Sequence, residues 1–261
     1  MARYGLLSDI HGNVEALNAA LGALERAGAR TLYCLGDVIG YNADSDDCAA
    51  IVRRRCAATI AGNHDLIGTS RLDFSRCSNG AMYSLKRTRR TLGREAAAWL
   101  ATLPGRQVLE DGKVVLVHGG VRDVQLYMER AEHIRENAGW LRYDFPGAKL
   151  CFFGHSHHQM VFEVDEGSVV RSVPAAGKVY LERQKLYFVN PGSVDAQRKR
   201  EHKLAECAVF DTLDWTVEFL RVPYDAASTE AKAAVFGYRI SGFTNSLYNL
   251  RRRLGRLAHS A

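Results

Sequence analysis

The chain has 261 residues, 47% of them apolar and 25% charged, which is the composition of a globular protein long enough to bury a sizeable core. No run of roughly 18 apolar residues occurs, which excludes a membrane-spanning helix. The opening MARYGLLSDIHG lacks the zones of a signal peptide, so the expected compartment is the cytoplasm, with no membrane partner.

A net charge of +6 keeps an anionic partner in view. The basic residues, however, fall in short bursts at 53–55, 86–90, 198–200 and 251–253, which read as solvated helix faces or loops. Nucleic acid is therefore possible but not indicated. The six cysteines form no C-x-x-C pair, which argues against a thiolate zinc site or a redox motif.

In chain order, an apolar run at 4–7 precedes an amphipathic stretch at 13–27. There Val14, Leu17, Leu21 and Leu24 share one helix face and Gly28 supplies the stop. A strand at 31–35, a helix at about 44–55 and a short strand at 57–60 follow. This alternation argues an α/β sheet with helical crossovers. Residues 79–103 read as helical, and 105–110 and 113–117 flank Asp111-Gly112 as a hairpin. Residues 126–138 look helical, and 150–153 is an apolar strand. Short strands then run to about 219, including a second hairpin around Asp214-Trp215. The stretch 226–261 reads as a basic C-terminal extension of one or two helices, expected to pack its leucines on the core. No repeat or linker interrupts the chain, so a single domain of two packed sheets covered by helices is expected.

The informative feature is where Asp and His fall. Five apolar strands end in Asp9-Ile10-His11, Gly36-Asp37, Gly62-Asn63-His64-Asp65, His118-Gly119-Gly120 and Gly154-His155-Ser156-His157. The carboxyl ends of strands are where α/β sheets collect ligand sites. Extended backbone would point Asp9 with His11, and His155 with His157, to the same side. A set of carboxylate, imidazole and amide without thiolate suits manganese, iron, zinc, cobalt or nickel. Each piece alone is weak, since a Gly-Asp is commonly a turn; the joint occurrence at strand ends carries the signal.

Together, D-I-H-G-N at 9–13, G-D-V-I-G-Y at 36–41, G-N-H-D at 62–65, V-H-G at 117–119, G-H-S-H at 154–157 and N-P-G-S at 190–193 resemble the calcineurin-like metallophosphoesterase superfamily. The likeness is greatest to its small prokaryotic phosphodiesterase branch. The resemblance implies a four-layer α-β-β-α sandwich of the α/β (α+β) class with two central mixed sheets. It implies two divalent metal ions, manganese first, with Asp9, His11 and His157 on one, Asn63, His118 and His155 on the other, and Asp37 bridging. A metal-bridging hydroxide would then attack phosphorus in line with the leaving oxygen. His64 would be the catalytic residue, stabilising the phosphoryl oxygens or protonating the leaving group, and Asn63 and His64 would face the substrate.

The departures narrow the reading. Gly40-Tyr41 and Asp65 stand where the protein Ser/Thr phosphatases of the superfamily carry an acidic residue with an arginine, and a glutamate. An Asp to orient His64 and an Arg to grip phosphate are thus missing there, which disfavours a protein phosphatase. After 190–193 the chain reads Val-Asp-Ala-Gln-Arg, and Arg198 is the candidate for an added phosphate contact. The expected activity is hydrolysis of a phosphomonoester or diester in a small phosphorylated or nucleotide substrate. The alternatives are a nucleic-acid end-processing enzyme and a non-catalytic scaffold like the retromer subunit of this superfamily. Oligomeric state stays open.

Overall fold

The structure is a computed structural model that describes residues 2–165, 168–172, 177–195 and 203–258. Strand β1 (Arg3–Leu7), helix α1 (Val14–Arg26), β2 (Thr31–Cys34), α2 (Ser45–Arg55) and β3 (Ala58–Thr59) alternate as the periodicity predicts. Asn13 caps α1 by accepting from the Ala16 N–H at 3.0 Å, and the helix buries Leu17, Leu21 and Leu24 on one face. A short α3 (Asn63–Gly68) follows.

The expected long helix is two, α4 (Asn79–Thr91) and α5 (Arg94–Ala101). The break is tertiary in origin, because the Gly93 N–H leaves the helical ladder to bond the Asp46 carboxylate at 2.8 Å. Strands β4 (Arg106–Leu109) and β5 (Val114–Val117) form the expected hairpin around a 3₁₀ turn. Helix α6 (Ala131–Asp144) starts five residues later than the pattern at 126–138 suggests. Leu126 and Met128 are apolar because they pack from a loop onto the core beneath α6, with Met128 fully buried, and not because they lie on a helix.

The remaining strands are β6 (Leu150–Phe152), β7 (Gln159–Asp165), β8 (Ser168–Ser172), β9 (Gly177–Tyr180), β10 (Leu186–Pro191), β11 (Leu204–Asp211) and β12 (Thr216–Pro223). They complete two six-stranded mixed sheets, ordered β3-β2-β1-β11-β12-β9 and β4-β5-β6-β10-β7-β8. Pairs β1/β2, β2/β3, β5/β6 and β6/β10 are parallel, and the other pairs are antiparallel.

Alternation along the strands builds the layers. Leu6, Leu116, Phe152, Val189 and Phe210 fill the space between the sheets. Leu7, Cys34 and Val209 face α1, α2 and α5, while Val115, Val117, Phe153 and Phe188 face α6. Strands buried on both faces need no polar alternate, which is why they read as continuous apolar runs. The order is helix, sheet, sheet, helix, the expected four-layer sandwich.

Two C-terminal helices end the described chain, α7 (Ala226–Val235) and α8 (Gly242–Ala258). The expected packing of the leucine row on the core is not found where side chains are described: Leu247 and Leu250 are 42% and 54% exposed. Helix α8 meets α4 through polar residues instead. Among the described residues no helix is long and apolar enough to cross a membrane.

Candidate metal centre

The carboxyl ends of β1, β2 and β3 in one sheet and of β5 and β6 in the other meet at one edge of the sandwich. Because each set is parallel, its loops emerge side by side. The loops after β1 and β2 are joined backbone to backbone. The Asp9 N–H bonds Gly36 O, the Ile10 and His11 N–H groups both bond Asp37 O, and the Gly12 N–H bonds Val38 O, all at 2.9–3.0 Å. The loops after β2 and β3 touch even more closely: a Cβ on Gly36, whose φ is +94°, would lie 2.3 Å from the Gly62 nitrogen. Only glycine permits that approach.

The extended geometry expected for the ligand pairs is not what forms. Asp9, His11, Asp37, His155 and His157 all have left-handed φ, between 53° and 63°. The loop-to-loop hydrogen bonds pull these residues off the strand course as soon as the strand ends. Non-glycine residues rarely adopt this conformation, and it clusters where surrounding structure enforces it for function. The pairs still converge, but through a turned backbone.

Asp9, His11 and His157 bring ligand atoms together in one group, and Asp37, His118 and His155 do so in a second; His11, Asp37 and His64 form a third that joins the two. His157 Nε2 lies 3.2 Å from Asp9 Oδ1 and 3.2 Å from His11 Nε2. His118 Nε2 lies 3.3 Å from Asp37 Oδ2 and 3.1 Å from Asn63 Oδ1. His11 Nε2 is 3.8 Å from both Asp9 Oδ1 and Asp37 Oδ2. Two ligand atoms each about 2.1 Å from one ion stand roughly 3.0–3.4 Å apart, so most of these separations suit a shared cation.

The donor chemistry agrees. His118 Nδ1 faces the Leu35 carbonyl at 2.8 Å and must carry its proton, which leaves a lone pair on Nε2 of the neutral ring. That lone pair points at two oxygens. Asp9 Oδ1 and His155 Nε2 are buried without any hydrogen-bond partner, and such atoms are costly unless something satisfies them. All seven residues expected as ligands are at most 6% exposed. The residues present therefore fit divalent ions.

The metal-free electrostatics follow. Burial pushes the Asp37 carboxyl up, but His118, His64 and His11 pull harder and hold it well below the usual carboxylate range. Burial takes His155 down to about 3, with His118 adding to the effect, and also lowers His11 and His64. On His118 burial acts downward, but Asp37, Asp9 and the Leu35 carbonyl together carry the ring up to about 9. An unfolded His titrates near about 6.5. The stability contributed by this proton is thus fully present below that pH and is lost as pH rises toward 9. A metal needs the neutral ring, so it competes with the proton. Above about pH 8 the lowered histidines are neutral and the Asp65 carboxyl, raised by burial to about 7, is ionised, which leaves His118 as the group still titrating among these. In that window the melting temperature should fall with pH in chelator, while the increment produced by manganese should grow. A flat chelator profile would contradict the assignment of the His118 proton.

Two carboxylates to which the sequence reading gave no role organise the loops. Asp65 is fully buried and accepts four backbone N–H groups, from Asp37, Val38, Ile39 and Gly62, at 2.8–3.3 Å. Burial and the Asp37 charge push it up to about 7. Asp195 accepts from Asn13 at 2.8 Å and donates its own N–H to Asp9 O at 2.9 Å; burial moves its carboxyl up to about 6. The signal was present in both cases: Asp65 closes the G-N-H-D motif, and Asp195 stands two residues beyond N-P-G-S.

The segment 190–193 proves to be a clamp. Asn190 donates to Gly154 O and Ser156 Oγ at 2.8 and 2.9 Å, and Ser193 donates to Asp9 O at 3.0 Å. It thereby ties the β1 loop to the β6 loop. Arg198 lies outside the described residues.

His64 is the second residue of α3, with its N–H on Asp37 Oδ1 at 2.7 Å. Its ring lies 4.5 Å from His11 and 4.7 Å from Tyr41, centroid to centroid. In place of an orienting acid, packing sets this ring. A Cβ on Gly40, whose φ is +131°, would lie 2.4 Å from His64 Nδ1. Gly40→Ala should therefore displace His64 and lower turnover by about 10- to 100-fold while the protein still binds metal. Metal content and kcat measured on the same sample test this, and unchanged kcat would show that the ring position is immaterial. Tyr127 stacks on His155 with centroids 4.0 Å apart, and it was not singled out in the sequence.

The calcineurin-like phosphoesterase superfamily domain matches residues 3–214, a span that holds every residue of this centre. An uncharacterised protein of Methanocaldococcus jannaschii is 32% identical over 226 residues, covering 84% of this chain and 87% of that protein. The crystal structure of a metallophosphoesterase from Sphaerobacter thermophilus superposes with a TM-score of 0.76 at 28% identity, over 94% of this chain and 97% of that one. A hypothetical protein from Pyrococcus horikoshii shares the fold, with a TM-score of 0.68 at 19% identity over 92% and 95% of the two chains. With the domain match running from the first strand past the last ligand loop, the chain belongs to the calcineurin-like phosphoesterase superfamily.

Proposed function

We propose that this protein is a dinuclear metal-dependent phosphoester hydrolase acting on a small phosphorylated compound or nucleotide, as a phosphodiesterase or phosphomonoesterase. The observation that carries the reading is the convergence of buried carboxylate and imidazole ligand atoms from separate strand ends in two groups, with Asp37 beside His11 of one and within the other. Asp9, His11 and His157 would hold one ion, Asn63, His118 and His155 the other, and Asp37 both. Manganese suits this oxygen and nitrogen set, as do iron, zinc, nickel and cobalt. When bound, such ions supply positive charge to phosphoryl oxygens and acidify water.

The chain's own contribution is placement. Asp65 and the 190–193 clamp fix the loops before any substrate arrives, which avoids reorganisation during the reaction. Burial favours a neutral His64 ring near pH 7. We therefore assign it first as a hydrogen-bond donor to a phosphoryl oxygen, ahead of proton transfer to the leaving group. The nucleic-acid reading gains less support, because Arg53 and Arg55 are paired with Glu95 and Glu25.

Hydrolysis of bis-p-nitrophenyl phosphate beside p-nitrophenyl phosphate, by chelated and then manganese-loaded protein, tests the proposal. Metal should restore turnover, and His64→Ala should lose about 100-fold in kcat at unchanged metal content. Turnover indifferent to chelation would overturn it. So would folded, metal-loaded protein that hydrolyses no phosphoester, which would leave a scaffold.

A further inference from the structure

Surface helices ordinarily turn their apolar stripe inward and their polar face to water. Helix α8 does the reverse. It meets α4 through Asn245 and Asn249, whose amide oxygens accept from Asn79 at 2.9 and 2.7 Å, and through Tyr248, which lies under the Lys86 ammonium at 5.2 Å. Phe243, Leu247 and Leu250 are left 75%, 42% and 54% exposed. The same spacing of four and three residues continues in the sequence at Leu254 and Leu257. Arginines stand at 251, 252, 253 and 256, and α8 contains no acidic residue. The helical period places positions 251 and 253 about 80° to either side of the row.

We propose that α8 is an interfacial helix that docks the protein on an anionic lipid bilayer surface. Charge selects this occupant. Pairing two copies along the row would line its edges with arginines of both chains, with no acid on either helix to offset them. Nucleic acid would neutralise the arginines but leave Phe243, Leu247 and Leu250 in water. A bilayer surface with acidic headgroups satisfies both sets: the row enters the acyl boundary while the flanking arginines reach headgroup phosphates. The expectation of no membrane partner rested on the lack of a spanning run, and an interfacial helix needs none. The inference is independent of the proposed hydrolysis.

Co-sedimentation of the full chain with neutral phosphatidylcholine vesicles and with vesicles containing phosphatidylglycerol tests it. Binding should require the anionic lipid, fall with added salt, and drop about fivefold for Arg251→Ala. The double substitution Leu247→Ser with Leu250→Ser, at exposed positions, should remove binding while leaving the melting temperature unchanged. Equal binding to both vesicle types, no binding to either, or a lipid affinity untouched by these substitutions would overturn the proposal. A dimer in sedimentation equilibrium that the double substitution dissolves would also overturn it, making the row a self-association seam.

Discussion

Asp37→Ala should lower turnover of bis-p-nitrophenyl phosphate by about 1000-fold, the equivalent of roughly 4 kcal/mol of transition-state stabilisation. Asp37 reaches into both halves of the centre. Its Oδ2 lies 3.3 Å from His118 Nε2 and 3.8 Å from His11 Nε2, and its Oδ1 holds the His64 N–H. Removing the carboxylate would take an anionic ligand from both of the proposed ions and free the backbone at His64 together. The loop itself should survive, because the Asp37 carbonyl still receives the Ile10 and His11 N–H groups. Asp37→Asn keeps the volume and an acceptor for His64, so it should fall between wild type and alanine. Metal content by elemental analysis should drop in parallel with rate. An alanine variant within about tenfold of wild type would remove the basis for a bridging carboxylate.

The second large effect is expected away from the metal ligands, at Asp65. Truncation to alanine strands four buried N–H groups where Gly36-Asp37 and Gly62-Asn63 meet. Unsatisfied buried donors cost about 1–3 kcal/mol each, and partial relaxation makes a total of roughly 4 kcal/mol reasonable. For a chain of this size that is a loss of about 10 °C in melting temperature. Asp65→Asn should recover little, because its amide turns an N–H₂ toward N–H donors. Supporting groups of this kind also tune ligand placement, so metal affinity should weaken about 10- to 100-fold. Calorimetry of the chelated protein separates the two effects. A melting temperature within about 2 °C of wild type would mean that the four hydrogen bonds hold nothing the loop needs.

These two residues mark how far the sequence is legible. Asp37 follows an apolar strand and sits in a recognisable set, so local pattern and spacing suffice to find it. The role of Asp65 depends on which N–H groups a neighbouring loop turns toward it, and that is settled only when β2 and β3 pair. The same distinction runs through the fold. β1 to β3 and their helices are local units whose period can be read directly. The insertion of β10 between β6 and β7, and the transfer of β9 to the other sheet, depend on pairings between distant segments. Residues 126–130 misled because a loop anchored in the core shows the same apolar letters as a helix face. The ligand backbone at Asp9, His11, His155 and His157 was unreadable for a related reason: residue type favours extended or helical φ there, and tertiary hydrogen bonds impose the left-handed one.

That backbone has an implication for how such chains change over generations. Each non-glycine residue held at left-handed φ costs on the order of 1 kcal/mol, and five of the seven expected ligands are held so. Glycine or asparagine would sit at those positions with less strain. Selection for the proposed hydrolysis and selection for a stable fold would therefore pull in opposite directions at Asp9, His11, Asp37, His155 and His157. A descendant that kept the sandwich and abandoned the chemistry should drift toward Gly and Asn at these sites first, long before its core changes.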